Sequence, residues 1–355
     1  MRFQPVDRPP LQDWGPWEAT IARWMRETGK SREAVLEWQG EVDREFRVPV
    51  DFGMSPPFEE KVVAEDDTTF TKIDRMGLTY RQFKQDSDAS MPEYIGAPVR
   101  TPKDWQEIKH RFDPTSPGRY PADWPALVSR WRREKPILRL YGFVQTYYGG
   151  PSLFGFVRML LGAERALYAF YDEPLMVHDM METATEFSIA MLEKALREAP
   201  VTLAQFWEDM CYRSGPLISP ALVREFMVLR YKRITDVIRR AGVDIIFLDS
   251  DGNVEQLLPL WLESGINGYF PMEQQAGNNM RAYRKKYGKD LLMSGGIDKR
   301  ALARNKEAID QELESKIPLA FEGGYVPALD HGIPPDVSYA NFMYYWERKK
   351  RLLGV

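Results

Sequence analysis

Residues 243–273 read VDIIFLDSDGNVEQLLPLWLESGINGYFPME, and they decide the fold. The run from Val243 to Leu248 is apolar apart from Asp244, the pattern of a strand buried on both faces and hence of a parallel sheet. NVEQLLPLWLESG then spaces its apolar residues as a helix does and stops at Gly265, and INGYFPME opens the next strand. Strand, helix and strand within about 30 residues make a βαβ unit.

The same rhythm extends in both directions. Upstream, PILRLYGFV and VTLAQFWED read as strands. SLFGFVRMLLG, ERALYAFYD and the long segment EPLMVHDMMETATEFSIAMLEKALREA between them read as helices. SPALVREFMVLRYKRITDVIRRAG is a further helix ending at Gly242. Downstream come the strand KDLLMSGG, a helix starting at DKRALA, the strand and loop EGGYVPALDHG, and a closing helix SYANFMYYWERKKRLL. Repeated alternation of this kind predicts a parallel sheet, either closed into a barrel or open and doubly wound. No G-x-G-x-x-G follows any strand, so the dinucleotide-binding open sheet has no support and a (β/α)8 TIM barrel is the expectation. Residues 1–355 then form one domain: a helical N-terminal extension over 1–47, the first strand, a small β excursion and a proline-rich connection over 48–135, and the main repeats over 136–355. RVPVDFG is the expected first strand, and EEKVVAEDD, TFTKIDRMG and LTYRQFKQD the strands of the excursion.

Composition narrows the class. The 355 residues are 44% apolar and 28% charged, as in a globular protein with a large core. A net charge of -4 gives no reason to expect nucleic acid or an anionic membrane as partner. The single cysteine, Cys211, excludes an internal disulfide and a multi-cysteine zinc site. It fits a reducing compartment, and with no secretory h-region after Met1 and no apolar membrane span the expected location is cytoplasmic.

In a (β/α)8 barrel the chemistry gathers at the C-terminal ends of the strands. That rule selects Asp51, Glu208 and Asp209, Asp249 and Asp251, Glu273, and Asp330 with His331, while YGFVQTYYGG supplies Gln145 and Tyr148. Crowded carboxylates raise one another's pKa, which can make an acid and a base from one residue type; the same ring could ligate a metal. Capping of the following helices is the plainer role for Asp251 and Asp298. Of the three histidines, His331 alone lies in a loop of the functional class. SGGID could offer backbone N–H groups to an anion, although a tight turn explains its glycines as well.

These residues carry a resemblance. QFWEDMCYRSGPLISP, FLDSDGNVEQLLPLWLESGINGYFPME, LLMSGGIDKRAL and GGYVPALDHGIPPDVSYANF, in that order from Gly142 onward, resemble the uroporphyrinogen decarboxylase superfamily, with a looser match over Phe3 to Asp51. The superfamily holds decarboxylases and corrinoid-linked methyltransferases, and the resemblance implies a barrel with a deep cleft. It implies that Asp51 grips substrate, that Asp209 stands where a substrate-contacting serine does, and that His331 matches the late histidine, making these three the catalytic candidates. Gln145, Tyr148, Phe154, Phe156, Glu208 and Glu273 are the substrate-binding candidates, with the aromatic groups as cleft walls. Phe156 stands near a family tyrosine, and the early arginine loop that binds substrate carboxylates is missing, which argues against an octacarboxylate substrate. Asp249, Asp251 and His331 look like the three zinc-ligand positions of the methyltransferase branch, with harder donors that could hold one divalent metal, zinc or another. The leading expectation is methyl transfer from a small methylated substrate with a corrinoid protein as partner. Tetrapyrrole decarboxylation and a non-catalytic tetrapyrrole- or corrinoid-binding barrel are the alternatives. The aromatic closing helix could form a homodimer face, or simply pack in the core.

Overall fold

The structure, a computed structural model, describes residues 1–4, 7–84, 92–141 and 152–355. Seven parallel strands form one curled sheet in chain order: β1 Glu45–Arg47, β2 Ile137–Tyr141, β3 Leu203–Trp207, β4 Ile246–Asp249, β5 Gly268–Phe270, β6 Leu292–Ile297 and β7 Tyr325–Leu329. Every neighbouring pair is parallel, as the apolar run at Val243 required. In β4, Ile246 and Leu248 are fully buried against the outer helices, whereas Phe247 and Asp249 face the interior, the two-residue alternation of any strand. Helices Pro174–Glu198 and Leu229–Arg240 cover this part of the sheet, and Gly242, at φ 86°, ends the turn after the second of them.

Two expectations are corrected. The first strand, Glu45–Arg47, reaches only the first residue of RVPVDFG, because Pro49 has no N–H with which to continue the ladder. Among the described residues the eight-stranded closure is not formed either: β1 and β7 do not pair, and seven strands make up the sheet. Residues 11–17 occupy the gap between them without becoming a strand. Leu11 exchanges bonds with Asp43, its carbonyl accepting from the Asp43 N–H at 2.9 Å and its N–H donating to the Asp43 carboxylate at 2.7 Å. At the other side Leu329 N–H donates to Asp13 Oδ1 at 2.9 Å, and Ile333 N–H donates to Gly15 carbonyl at 3.1 Å. Pro9, Pro10 and Pro16 in PPLQDWGP deny this segment a regular ladder.

The gap segment is fixed by a buried ion pair. Lys349 Nζ lies 2.8 Å from Asp13 Oδ2, and both side chains are fully shielded from solvent. Tyr345 donates its hydroxyl to the same carboxylate oxygen at 2.5 Å, and Lys349 also donates to Gln12 carbonyl at 2.5 Å. Phe342, Tyr345 and Trp346 of the closing helix Tyr339–Leu353 are buried with Trp24 and Trp38, so core packing accounts for its aromatic face.

The excursion is a separate antiparallel sheet of four strands, Lys61–Glu65, Thr69–Ile73, Thr79–Phe83 and Glu93–Gly96, one more than the turn signals indicate. Among the described residues no helix is long and apolar enough to cross a membrane.

Removing one partner of a buried pair strands the other charge, at a cost of about 3–5 kcal/mol. Asp13→Ala should lose that much in urea unfolding, and adding Lys349→Met should restore part of it. A loss under about 1 kcal/mol in Asp13→Ala would show that the pair does not hold the gap closed.

Candidate active site

The carboxylates selected from the strand ends fall into two groups with different physics. Glu208, at the end of β3, is completely buried. Its carboxylate accepts the N–H groups of Leu153, Phe154 and Gly155 at 2.7, 3.0 and 3.1 Å, and the hydroxyl of Tyr231. It thus holds the start of the helix Phe154–Leu161. Burial pushes its pKa up to about 7 against the pull of these donors. Glu208 is therefore an internal anchor, not the substrate contact expected of it.

The second group lines the mouth. Asp209, held at a φ of 43°, accepts from Arg158 Nη2 at 3.2 Å, and the Asp209 carbonyl accepts from Arg158 Nη1 at 2.8 Å. Burial raises the Asp209 pKa; Arg158 opposes the rise, and Asp251 and Glu273 add to it. Asp249, at the end of β4, is driven well above the usual carboxylate range by burial and then by the charges of Asp251 and Asp209, with Arg139 opposing. Three aspartates from two strand ends thus share one electrostatic environment, and it is in Asp249 that burial most favours the neutral acid.

His331 completes the group. Its Nε2 lies 3.6 Å from Asp251 Oδ2. Burial works against an imidazolium there, but the contact and charge of Asp251, with Glu273 helping and Lys299 opposing, raise the His331 pKa above its ordinary value. Trp14 of the gap segment stacks on the imidazole with centroids 5.8 Å apart and planes 11° from parallel, and Trp17 meets it edge-on at 6.2 Å. Glu273 Oε2 accepts from the Gly252 N–H at 2.9 Å, and its other oxygen lies 3.4 Å from Lys299 Nζ. Lys299 Nζ is 3.8 Å from Asp330, whose carboxylate also accepts the N–H groups of Gln274 and Lys299 at 2.9 and 3.1 Å.

Asp209, Asp249, Asp251, Glu273 and His331 are therefore brought together. Asp51 is not among them: its carboxylate accepts from Gly53 N–H at 2.8 Å beside Arg119, whose buried guanidinium donates to the carbonyls of Asp51, Gly53, Arg111 and Asp113. Phe154 and Phe156 do not wall a cleft. Phe154 stacks with Phe170, and Phe156 is packed between Trp105 and Phe112 in the core. Gln145 and Tyr148 lie outside the described residues. Among the described residues no three His, Cys, Asp or Glu side chains converge as metal ligands, so Asp249, Asp251 and His331 do not fit the ion expected of them. Asp298 caps its helix through the Arg300 N–H, as its position suggested. Gly295, at φ 91°, leaves no room for a side chain because a Cβ would sit 2.0 Å from the Pro271 carbonyl, so close packing explains SGGID.

Arg158, Lys299 and Trp14 are site residues that the strand-end rule missed. Lys299 is two residues past β6 and could have been chosen on the same rule as the aspartates. Arg158 sits inside a helix, and Trp14 lies in an irregular segment more than 300 residues from His331 in sequence, so neither gives a local signal.

The family profile described as Uroporphyrinogen decarboxylase (URO-D) matches residues 82–352. The chain belongs to the uroporphyrinogen decarboxylase family. Among curated relatives, the chloroplastic uroporphyrinogen decarboxylase of Zea mays is 24% identical over 183 residues, 51% of this chain and 44% of that one. The Hordeum vulgare uroporphyrinogen decarboxylase is 22% identical over 51% of this chain and 52% of its own length. The chain thus matches about half the length of these curated relatives. Among solved structures, a methyltransferase from Methanosarcina mazei superposes with a TM-score of 0.58 at 16% identity, covering 99% of this chain and 96% of that one. That likeness shows a shared fold across almost the whole chain.

Replacing Asp251 by Asn should drop the His331 pKa to or below the ordinary imidazole value, since burial then acts unopposed by that charge. Because the folded pKa is raised, the stabilising share of this contact is full at pH below the unfolded value and vanishes as pH rises through the folded one. NMR titration of the imidazole checks both; an unchanged pKa in Asp251→Asn would show that the two side chains do not interact.

Proposed function

We propose that this member of the uroporphyrinogen decarboxylase family transfers a methyl group from a small, uncharged or cationic methylated substrate. One observation carries the reading: the three cations beside the mouth carboxylates are each engaged by one of them. Arg158 is on Asp209, Lys299 is on Glu273 and Asp330, and His331 is on Asp251. The surplus of acids repels a polyanion and keeps these three cations from clamping its carboxylates. A methyl donor bonded through oxygen or nitrogen suits the same groups. The acceptor's lone pair forms the new bond to the methyl carbon, the old carbon–heteroatom bond breaks, and its electrons stay on the heteroatom, which needs a proton when the donor is uncharged and leaves as the neutral molecule when the donor is cationic. His331, biased toward imidazolium, and Asp249, biased toward the neutral acid, are the proton donors. Asp251 orients the imidazole and Trp14 holds its plane. The acceptor we propose is a reduced corrinoid carried by a partner protein. No step is assigned to a metal, because the donor set does not converge on one.

Tetrapyrrole decarboxylation is the second reading, favoured by the plant relatives' names. There the same acids would protonate the pyrrole-linked carbon as carbon dioxide leaves.

Two assays separate them: cobalamin methylation, followed by absorbance, with free reduced cobalamin and a panel of methylated phenols and amines; and chromatography of uroporphyrinogen after incubation with the chain. Methylation by at least one donor is expected, falling about a hundredfold in His331→Gln. Conversion of uroporphyrinogen, or micromolar binding of uroporphyrin in calorimetry, would overturn the proposal.

A further inference from the structure

The interior of a closed (β/α)8 barrel is filled by layers of side chains from alternate strands. Here a half-open cavity of about 1230 Å³ lies between the inner face of the curled sheet and the first residues of the chain, lined by residues from all seven strands. The side chains that β6 and β7 present to it, Ser294, Val326 and Ala328, are small.

The cavity has two unlike walls. One is apolar: Phe247, Phe270, Val326 and Ala328. The other carries a charge pair inside the curled sheet, Arg139 Nε donating to Glu45 Oε2 at 2.6 Å, with Arg139 also donating to Gln205 Oε1. Glu45 cancels the arginine's charge, so this wall offers an anion little. Gln205 has its oxygen taken and keeps amide N–H groups as donors, and Tyr141 adds a hydroxyl.

The opening is not the carboxylate mouth. Thr202 and Ile245 mark the N-terminal ends of β3 and β4, and the first residues of the chain frame this rim, fastened by Arg2 to Asp244 at 3.0 Å and by Arg8 to Asp43 at 2.7 Å. Of the carboxylates at the mouth, Asp249 alone also lines the cavity, reaching it from above.

We propose that this cavity inside the curled sheet is a binding chamber for an uncharged, largely apolar small molecule carrying a hydrogen-bond acceptor, and that it is entered from the N-terminal ends of the strands, opposite the carboxylate mouth. The apolar wall takes the body of the ligand, and Gln205 and Tyr141 take its acceptor.

The test needs no turnover, so its outcome is independent of the methyl-transfer reading. The neutral probe N-phenyl-1-naphthylamine is titrated against the full chain by fluorescence. Saturable binding is expected, weakened about tenfold or more in Ala328→Phe. Ser294→Leu, which fills the same space from β6, serves where the first variant does not fold, and circular dichroism checks both. Asp209→Ala, at the mouth, should bind the probe as the parent does. For the route, Thr202→Cys labelled with a bulky maleimide should slow probe uptake in stopped flow. The native Cys211 stays unlabelled because it is buried and its thiol pKa is pushed up to about 12. No saturable binding, binding indifferent to both filling variants, or uptake indifferent to the label at Thr202 would each overturn the proposal.

Discussion

The free edges of the parallel sheet are the constraint on which everything else rests. A parallel sheet exposes unpaired N–H and C=O groups at its first and last strands, and those groups must be satisfied or covered. In this chain β1 is three residues long and cannot reach β7, so residues 11–17 bridge the distance. Proline makes that bridge irregular, and irregular backbone needs side chains to finish its hydrogen bonding. The shielded Asp13, bonded to Leu329, Tyr345 and Lys349, supplies them. The closing helix is thereby tied to the start of the chain, and Trp14, one residue on, is set flat against His331. Closure of the sheet and orientation of the imidazole are one mechanical feature.

Burial then sorts the acids. Glu208 and Asp249 both suffer desolvation, yet they serve different ends. Glu208 collects three backbone N–H groups and a phenol, leaving it no capacity for a ligand. Asp249 has no such donors among the described residues; the carboxylates beside it add their repulsion to burial, with Arg139 opposing. The first is spent on holding a helix start. The second is an acid at the end of a strand with both the mouth and the interior chamber beside it. Asp251 differs again, because His331 gives it a partner whose charge it sustains.

The reading of particular residues shows where local sequence runs out. Asp209, Asp249, Asp251, Glu273 and His331 were found because strand periodicity marks where each strand stops, and a parallel sheet puts all those stops at one end. Glu208 was found by the same rule and misassigned: adjacent residues leave a strand end in opposite directions, and nothing local says which turns toward the helix. Asp51 failed because Pro49 ends the first strand early, so the loop after it turns to Arg119. Phe154 and Phe156 are apolar in an amphipathic helix, and their burial depends on what packs over that helix.

The order of strands and helices, the parallel sense of the sheet and the collection of acids at one end were determined by sequence alone, because they follow from two local periodicities and the stiffness of the backbone. Tertiary structure decided the rest: the sheet that stays unclosed among the described residues, the segment that stands in for an eighth strand, the aromatic face on His331 and the cavity along the sheet's inner face. Each of these depends on distances between residues far apart in the chain and on volumes summed over several strands, quantities that no single stretch of sequence contains.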